Sequence, residues 1–301
     1  MNVPSVPVTP GLRDFASLVK FSHSVFALPF ALLSLLVATA GQPPWPLLAL
    51  VVVAAVAART AAMAYNRLRD AAIDAANPRT ASREIPRGVI SRRAAGRLTI
   101  AASVVFVGAA VAIGPTCGLA ALPVLAWLLA YSHMKHWTAA CHLWLGVALG
   151  LAPIAAWIAA ADHTGGVAAG TALWMPLLLG GAVALWVAGF DVLYACQDEA
   201  FDRVHGLHSI PAAFGAPAAM WLARGLHATA FSGFAAFGVV AGLQRGYPLA
   251  LVAAAGLLIW QHRLLRPGDL HRIQTAFFTA NGTLSVVILV GGCVDLYLWR
   301  P

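Results

Sequence analysis

Four of the 11 acidic residues in this chain fall within one short stretch, at Asp191, Asp198, Glu199 and Asp202. If this stretch is helical, the spacing of Asp191, Asp198 and Asp202 places three carboxylates within roughly a 40° arc of one face. The stretch follows directly on the apolar run 173–190. Carboxylates gathered at the end of an apolar helix need a positive partner, so the pattern predicts a site for a cation.

A second acidic motif has the spacing N-x-x-x-D-x-x-x-D, at Asn66, Asp70 and Asp74. On a helix these residues share an arc of roughly 80°, so one amide oxygen and two carboxylates face the same way. Hard oxygen ligands of this kind suit Mg²⁺, which typically takes one or two carboxylates together with phosphate oxygens of a substrate. Two such faces predict a site that holds one diphosphate between them.

A simpler interpretation gives these carboxylates no metal. They could pair with nearby arginines as ordinary salt bridges at the membrane surface, the candidates being Arg67, Arg69, Arg79 and Arg83. Two acidic motifs on the same predicted side of a chain poor in acidic residues favour the metal site.

The composition shows what solvent surrounds the chain. Hydrophobic residues make up 60% and charged residues 10% of 301 residues, which predicts a polytopic membrane protein. The net charge of +8 could suggest nucleic-acid binding, but the basic residues lie in connecting loops without interleaved aromatic residues, so we expect no nucleic-acid partner. The four cysteines have no metal-ligand spacing. Residues 1–18 contain no apolar signal core and are expected to be a flexible N-terminal segment.

Runs of about 20 apolar residues predict transmembrane helices. Nine candidates follow one another along the chain: 21–40, 46–65, 97–114, 118–134, 138–161, 172–190, 216–242, 247–264 and 275–298. Gly114-Pro115-Thr116 separates the third from the fourth, and one long kinked element there would reduce the count to eight. The expected domain is a single unit over 1–301 with two weak half-repeats, about 19–134 and 138–265.

The distribution of charge orients these spans. With nine spans, the connections on one side hold almost all the basic residues: Arg67, Arg69, Arg79, Arg83, Arg87, Arg92, Arg93, Lys135, Arg203, Arg263, Arg266 and Arg272. The other side keeps Arg245 and Arg300. The positive-inside rule then predicts a cytoplasmic N-terminus, an external C-terminus and an active face in the long cytoplasmic connections of an inner (plasma) membrane protein.

These motifs resemble the UbiA-type membrane prenyltransferases. The resemblance begins at Asn66 to Asp74 and continues into Asn77-Pro-Arg-Thr-Ala-Ser-Arg-Glu-Ile-Pro-Arg-Gly88. Tyr194 to Asp202, followed by Gly206-Leu-His-Ser-Ile-Pro-Ala-Ala-Phe-Gly215, is similar to the second aspartate motif of that family. Lys20-Phe-Ser-His23 and Tyr131-Ser-His-Met-Lys135 are similar to two further segments, so the resemblance covers nearly the whole chain.

The resemblance implies nine transmembrane helices around a central cavity, with a lateral opening for a long isoprenoid tail. It also implies roles for individual residues. A polyprenyl diphosphate would be bound through Mg²⁺ by Asn66, Asp70, Asp74, Asp198 and Asp202. Lys135 and Arg67 would contact the diphosphate, Asp191 and Tyr194 would lie near the acceptor or the reacting carbon, and His23 would lie at the cavity. Many relatives have Lys-Arg where this chain has Lys135-His136. The contact that the arginine would make with an anion is therefore not expected from His136.

The implied activity is the transfer of a polyprenyl group to an aromatic hydroxy acid in quinone biosynthesis, with 4-hydroxybenzoate as the expected acceptor. Mg²⁺ and Lys135 would stabilise the departing diphosphate, and the lipid bilayer would hold the tail. Two alternatives remain. One is prenylation of a dihydroxynaphthoate for menaquinone, and the other is a secondary transporter that couples ions through its carboxylates. His142 and Arg224, inside apolar runs, are functional candidates without an assigned role.

Overall fold

A computed structural model describes residues 11–20, 26–163 and 173–298. The described residues form helices and no β-strand beyond one isolated bridge. In chain order the helices are α1 Leu12–Leu18, α2 Leu28–Ala38, α3 Trp45–Ala76, α4 Arg92–Ile113, α5 Pro115–Met134, α6 Cys141–His163, α7 Trp174–Ala195, α8 Glu199–Val204, α9 Ile210–Phe214, α10 Ala216–Val240, α11 Gly246–Leu264 and α12 Asn281–Leu298. A 3₁₀ turn, Cys196–Asp198, separates α7 from α8, and a π-helical turn, Thr275–Ala280, precedes α12.

Each of the nine predicted spans overlaps a helix of the described chain, and the helices confirm the prediction of an all-α, polytopic membrane protein. Six of these segments are long and apolar enough to cross a membrane: α3, α4, α5, α6, α7 with its continuation to Val204, and 275–298. The other three are α10, α11 and α2, and α2 has 11 residues within the described ranges.

The break at Gly114 divides two helices rather than kinking one. α4 ends at Ile113 and α5 begins at Pro115, where a proline is tolerated because the first helical N–H has no partner within the helix. Asp162 closes the turn, since its Oδ2 accepts a hydrogen bond of 2.8 Å from the backbone N–H of Cys117. The alternative of eight spans with one long kinked element is therefore wrong for this region.

The second acidic motif does not lie on one continuous helix. Asp191 belongs to α7, Asp198 to the 3₁₀ turn and Asp202 to α8. The side chain of Gln197 donates a hydrogen bond of 2.8 Å to the carbonyl of Tyr194 at the point where α7 ends. The single helix on which the 40° arc was predicted is therefore interrupted by one 3₁₀ turn between α7 and α8.

Helices α6 and α7 pack at backbone contact through glycines. A Cβ atom placed on Gly150 would lie 2.4 Å from the carbonyl oxygen of Gly180, and one placed on Gly146 would lie 2.2 Å from that of Ala184. Small residues that let two helices approach closely are typical of membrane helix interfaces, where packing replaces the hydrophobic effect. This contact fixes α7, which carries Asp191, against α6.

The two ends of the bundle are marked by contacts of the chain's terminal regions. At one end, Ser17 in α1 donates a hydrogen bond of 2.5 Å to Glu84. At the other end, the hydroxyl of Tyr297 in α12 donates a hydrogen bond of 2.6 Å to the carbonyl of Gly41, which follows α2. Because Glu84 and Gly41 flank opposite ends of α3, the N-terminal helix and the end of α12 lie at opposite ends of the bundle.

Candidate active site

A polar cavity of about 190 Å³ opens at the end of the bundle where α1 lies. Both acidic motifs line it, together with the segment after α5. Of the residues predicted to form the site, those that line the cavity are Asn66, Asp70, Asp74, Lys135, Asp191, Tyr194, Asp198 and Asp202. The structure therefore brings together two motifs that are far apart in the sequence.

The first motif presents its three polar side chains on one face of α3, as its spacing predicts. Asn66 donates a hydrogen bond of 3.1 Å to Oδ2 of Asp70, and the Lys135 ammonium lies 2.6 Å from the same oxygen. Asp74 lies one turn further along and pairs with the guanidinium of Arg83 at 2.6 Å. Both carboxylates are buried, with residues Asp70 and Asp74 only 3% and 4% exposed.

The second motif is held by the loop that follows the first. Arg79 binds Asp198 through two nitrogens, with Nε 2.9 Å from Oδ1 and Nη2 2.5 Å from Oδ2. Asn77 adds a hydrogen bond of 3.0 Å to Oδ1, and Nη1 of Arg79 donates to the Tyr194 hydroxyl at 3.3 Å. Burial acts to lower the pKa of Arg79, but the hydrogen bond and the charge of Asp198 outweigh it and hold that pKa above its ordinary value.

The donor set fits a hard divalent cation. Oδ1 of Asp70 and Oδ2 of Asp74 are buried without a hydrogen-bond partner, which is costly for a carboxylate unless something positive binds there. Over the ranges that the structure covers, no three His, Cys, Asp or Glu side chains converge closely enough to hold a metal by themselves. The salt-bridge interpretation is confirmed for Arg79 and Arg83, which pair with carboxylates of the two motifs.

Two residues predicted to bind substrate are not placed in this cavity. Arg67 lies on α3 but is absent from the cavity lining, and its Nε donates a hydrogen bond of 3.3 Å to the carbonyl of Leu18, the last residue of α1. His23 lies outside the described residues. Arg67 thus connects the N-terminal segment to α3 in this structure.

The surroundings of His136 favour its neutral form. Partial burial and then the positive charges of Arg69 and Lys135 lower its pKa below the usual value near 6.5. Among the described residues, the cavity lining includes Lys135 and not its neighbour. Lys135 alone therefore supplies the cation of this pair of residues.

His142 had no predicted role, yet this residue lines the cavity and contacts Asp191 of the second motif. Its Nδ1 lies 2.7 Å from Oδ2 of Asp191, and it is 3% exposed. The signal that could have found it was the free-energy cost of burying a histidine within an apolar run. Arg224, the other unassigned candidate, instead stacks on the ring of Trp221, 4.3 Å from the ring centroid, away from this cavity.

A second, apolar cavity of about 380 Å³ meets the polar one. Asn66 and Tyr131 line both cavities, and the apolar one continues between α2, α3, α4, α5 and α6 as far as Ile113 and Cys117. Arg59 is the charged residue among its described lining residues. Its Nη2 donates to the carbonyl of Lys20 at 3.4 Å, while its Nε is buried without a hydrogen-bond partner.

Comparisons with known proteins agree with this architecture. The chain is 26% identical over 295 residues to 4-hydroxybenzoate octaprenyltransferase of Saccharophagus degradans, covering 97% of this chain and 95% of that protein. It is 30% identical over 266 residues to the enzyme of the same name from Nitrosospira multiformis, covering 87% of each chain.

Solved structures share the fold. The apo structure of a UbiA homolog from Aeropyrum pernix superposes with a TM-score of 0.82 at 33% identity, covering 91% of this chain and 98% of that one. A UbiA homolog from Archaeoglobus fulgidus bound to DMAPP and Mg²⁺ has the same fold, with a TM-score of 0.69 at 19% identity over 95% of this chain and all (100%) of that one. Residues 27–282 match the UbiA prenyltransferase family. With two acidic motifs facing one cavity of a helical bundle, and with most of its length matched by the family model, the chain belongs to the UbiA prenyltransferase family.

Proposed function

We propose that this protein transfers a polyprenyl group from a polyprenyl diphosphate to the ring of 4-hydroxybenzoate in ubiquinone biosynthesis. The observation that carries the proposal is the junction of the two cavities: a polar one lined by both acidic motifs opens into an apolar one between the helices. A diphosphate joined to a long isoprenoid has the same division into a charged head and an apolar tail. The names of the relatives from Saccharophagus degradans and Nitrosospira multiformis support this acceptor.

The diphosphate head belongs in the polar cavity. The oxygen ligands that would hold Mg²⁺ are Asn66, Asp70, Asp74, Asp198 and Asp202. When bound, Mg²⁺ neutralises charge on the departing diphosphate. The fold neighbour from Archaeoglobus fulgidus is described as bound to DMAPP and Mg²⁺. Lys135, Arg79 and Arg83 are the cations of this chain that can donate hydrogen bonds to phosphate oxygens, since all three line the cavity.

The tail belongs in the apolar cavity. Its lining residues come from α2 to α6 and are almost entirely alanine, valine, leucine and isoleucine with a few aromatic residues. Such walls exclude water, which would otherwise capture the allylic cation that forms when the diphosphate departs. The same walls let the tail extend toward the lipid bilayer.

The acceptor belongs where the two cavities meet. Asp191 and Tyr194 line the polar cavity on its α7 side and face the ring that has to be prenylated. The carboxylate of 4-hydroxybenzoate needs a cation, and Arg59 offers one from α3, about two helical turns before Asn66. Its buried, unpartnered Nε is the group that would gain a hydrogen bond.

We infer that the cavity faces the cytoplasm from the inner membrane, with the N-terminus on the same side. The basic connections between α3 and α4, between α5 and α6 and between α7 and α10 all lie at the end of the bundle that carries the cavity. The positive-inside rule places such connections in the cytoplasm.

The purified chain in lipid nanodiscs tests this function directly. We expect farnesyl or geranyl diphosphate and radiolabelled 4-hydroxybenzoate to give a prenylated product that requires Mg²⁺ and disappears with EDTA. Equal concentrations of 4-hydroxybenzoate and 1,4-dihydroxy-2-naphthoate offered together identify the acceptor, and a product from the naphthoate alone would contradict the proposal. Counterflow of a solute in proteoliposomes without covalent product would instead indicate a transporter.

A further inference from the structure

His142 and Asp191 form a hydrogen-bonded pair that the proposed function leaves unused. His142 is the second residue of α6, and Asp191 lies near the end of α7, on the neighbouring helix. Nδ1 of the ring lies 2.7 Å from Oδ2 of the carboxylate. The Asp191 side chain is 17% exposed and faces the cavity, while the His142 side chain behind it is 4% exposed.

The hydrogen bond made by Nε2 of His142 indicates which tautomer of the ring is present. The backbone N–H of Ile210 lies 3.3 Å from Nε2 of His142. A backbone N–H can only donate, so Nε2 has to be the unprotonated acceptor, and the single ring proton has to sit on Nδ1. With Nε2 accepting from Ile210, Nδ1 is the ring nitrogen that donates to Oδ2 of Asp191.

This arrangement is held by a junction between two loops. The backbone N–H of His208 donates to the carbonyl of Lys135 at 2.7 Å, and the thiol of Cys141 donates to the carbonyl of His208 at 3.5 Å. These contacts and the one to Ile210 join the segment after α5 to the loop that follows the second motif. Rotation of the His142 ring would break its contacts with Asp191 and with the backbone N–H of Ile210.

We propose that His142 is a positioning residue: its hydrogen bond to Oδ2 orients the Asp191 carboxylate, whose second oxygen, Oδ1, takes the phenolic proton of the aromatic acceptor. This inference rests on the proposed function. Oriented carboxylates of this type act as general bases when they lie within hydrogen-bond reach of the proton they remove.

The transfer conserves atoms and charge. Asp191 takes the phenolic proton, the ring carbon forms a bond to the allylic carbon, and the allylic C–O bond breaks with its electron pair leaving on the diphosphate. The ring is then a dienone. It becomes aromatic again when its ring carbon loses a proton to solvent and its oxygen recovers the proton from Asp191, so the net products are the prenylated phenol, diphosphate and one proton.

Three variants of the full-length protein in nanodiscs test the positioning role. His142→Leu removes both hydrogen bonds, and we expect kcat for 4-hydroxybenzoate to fall by about 10²-fold or more, with the KM for the diphosphate within about twofold. His142→Gln has one donor and one acceptor at a similar spacing, and we expect it to recover most of the rate. His205→Leu, a change at an exposed histidine outside the cavity lining, serves as the control.

The acidity of the acceptor separates this role from a purely structural one. Halogenated 4-hydroxybenzoates have more acidic phenols and need less help from a base, so the loss in His142→Leu should shrink along such a series. His142→Leu combined with Asp191→Asn should be no slower than Asp191→Asn alone, because both changes remove the same base. Equal losses across the series, or additive losses in the double variant, would overturn the proposal.

A measurement without turnover keeps the inference separate from the proposed function. In protein labelled with ¹⁵N-histidine, His142 should show a protonated Nδ1 and an unprotonated Nε2, and Asp191→Asn should shift the Nδ1 signal. A doubly protonated ring, or the Nε2–H tautomer, would refute the pair even if the enzyme is active. Lack of any prenylated product in the wild-type protein would refute the function and leave this result standing.

Discussion

At the scale of single residues, the acidic motifs explain how carboxylates are tolerated at the end of membrane helices. Asp70 pairs with Lys135, Asp74 with Arg83 and Asp198 with Arg79, at 2.5–2.6 Å in each case. Removing one partner of a buried ion pair leaves an uncompensated charge, which lowers the free energy of unfolding by about 3–5 kcal/mol. The cations are therefore part of the site and not an accessory to it.

Neutralising single carboxylates should stop the reaction without unfolding the protein. We expect Asp70→Asn, Asp198→Asn and Asp202→Asn each to lower prenyl transfer by at least about 10²-fold, because each loses the charge that binds Mg²⁺. Thermal unfolding in detergent verifies folding, and Asp269→Asn, in the exposed connection after α11, is the matched control. Wild-type activity in any two of the three variants would exclude a metal site made from both motifs.

Arg79 competes with any cation for Asp198. Since its guanidinium binds both carboxylate oxygens, we expect Arg79→Gln to raise the affinity for Mn²⁺ measured by electron paramagnetic resonance without diphosphate, and to weaken diphosphate binding. Arg87→Gln changes an exposed arginine of the same loop and should leave both affinities as they are. Unchanged Mn²⁺ affinity in Arg79→Gln would show that Asp198 does not bind the metal.

Residue types and spacing predict much of this cavity but not its internal pairing. Asn66, Asp70 and Asp74 are spaced four residues apart. Helical geometry alone therefore predicts that their side chains lie on the same face of α3, which lines the cavity. The choice of Arg79 for Asp198 depends on how the loop after α3 folds back, which no local pattern encodes. The contact of His142 with Asp191 is likewise formed between two helices and has no signature in either segment.

At the scale of helices, the contact between α6 and α7 sets the position of Asp191. Hydropathy predicts both helices, but not that they touch through Gly146, Gly150 and Gly180. Beyond Ala195 the chain stays helical to Val204 except for the 3₁₀ turn Cys196–Asp198, which helical periodicity does not predict. The pairing of Asp198 in this turn is made with Arg79, far away in the sequence.

Two adjacent glycines in α7 provide a matched test of this packing. A Cβ on Gly180 would lie 2.6 Å from the carbonyl oxygen of Gly150 and 2.8 Å from Ile154, whereas one on Gly181 would meet nothing within 4 Å. We expect Gly180→Ala to lower the free energy of unfolding by about 1–3 kcal/mol through overpacking, and to lower activity with it. Gly181→Ala should lie within about 0.5 kcal/mol of wild type. Equal thermal stabilities of the two variants would contradict the close contact.

At the scale of the whole molecule, the chain places its chemistry at one end and closes the other. Helix α1 contacts α3 and the loop after it beside the cavity, while Tyr297 and Gly41 join α12 to the end of α2 far from it. The number of spans and the distribution of basic residues predict these two ends from the sequence. The joining of a polar and an apolar cavity requires the three-dimensional packing of five helices, which the sequence pattern does not specify.

The orientation in the membrane can be tested with two single cysteines. Ser82 lies exposed in the loop at the cavity end, and Gln244 lies exposed in the connection between α10 and α11 at the other end. In a background with the native cysteines replaced, we expect a membrane-impermeant maleimide to label Gln244→Cys in intact spheroplasts, and to label Ser82→Cys only in inverted vesicles. Both changes leave every charge in place, so the balance of basic residues that orients the helices is preserved. Labelling of Ser82→Cys in intact spheroplasts would place the cavity on the outer face, where a cytoplasmic supply of diphosphate could not reach it.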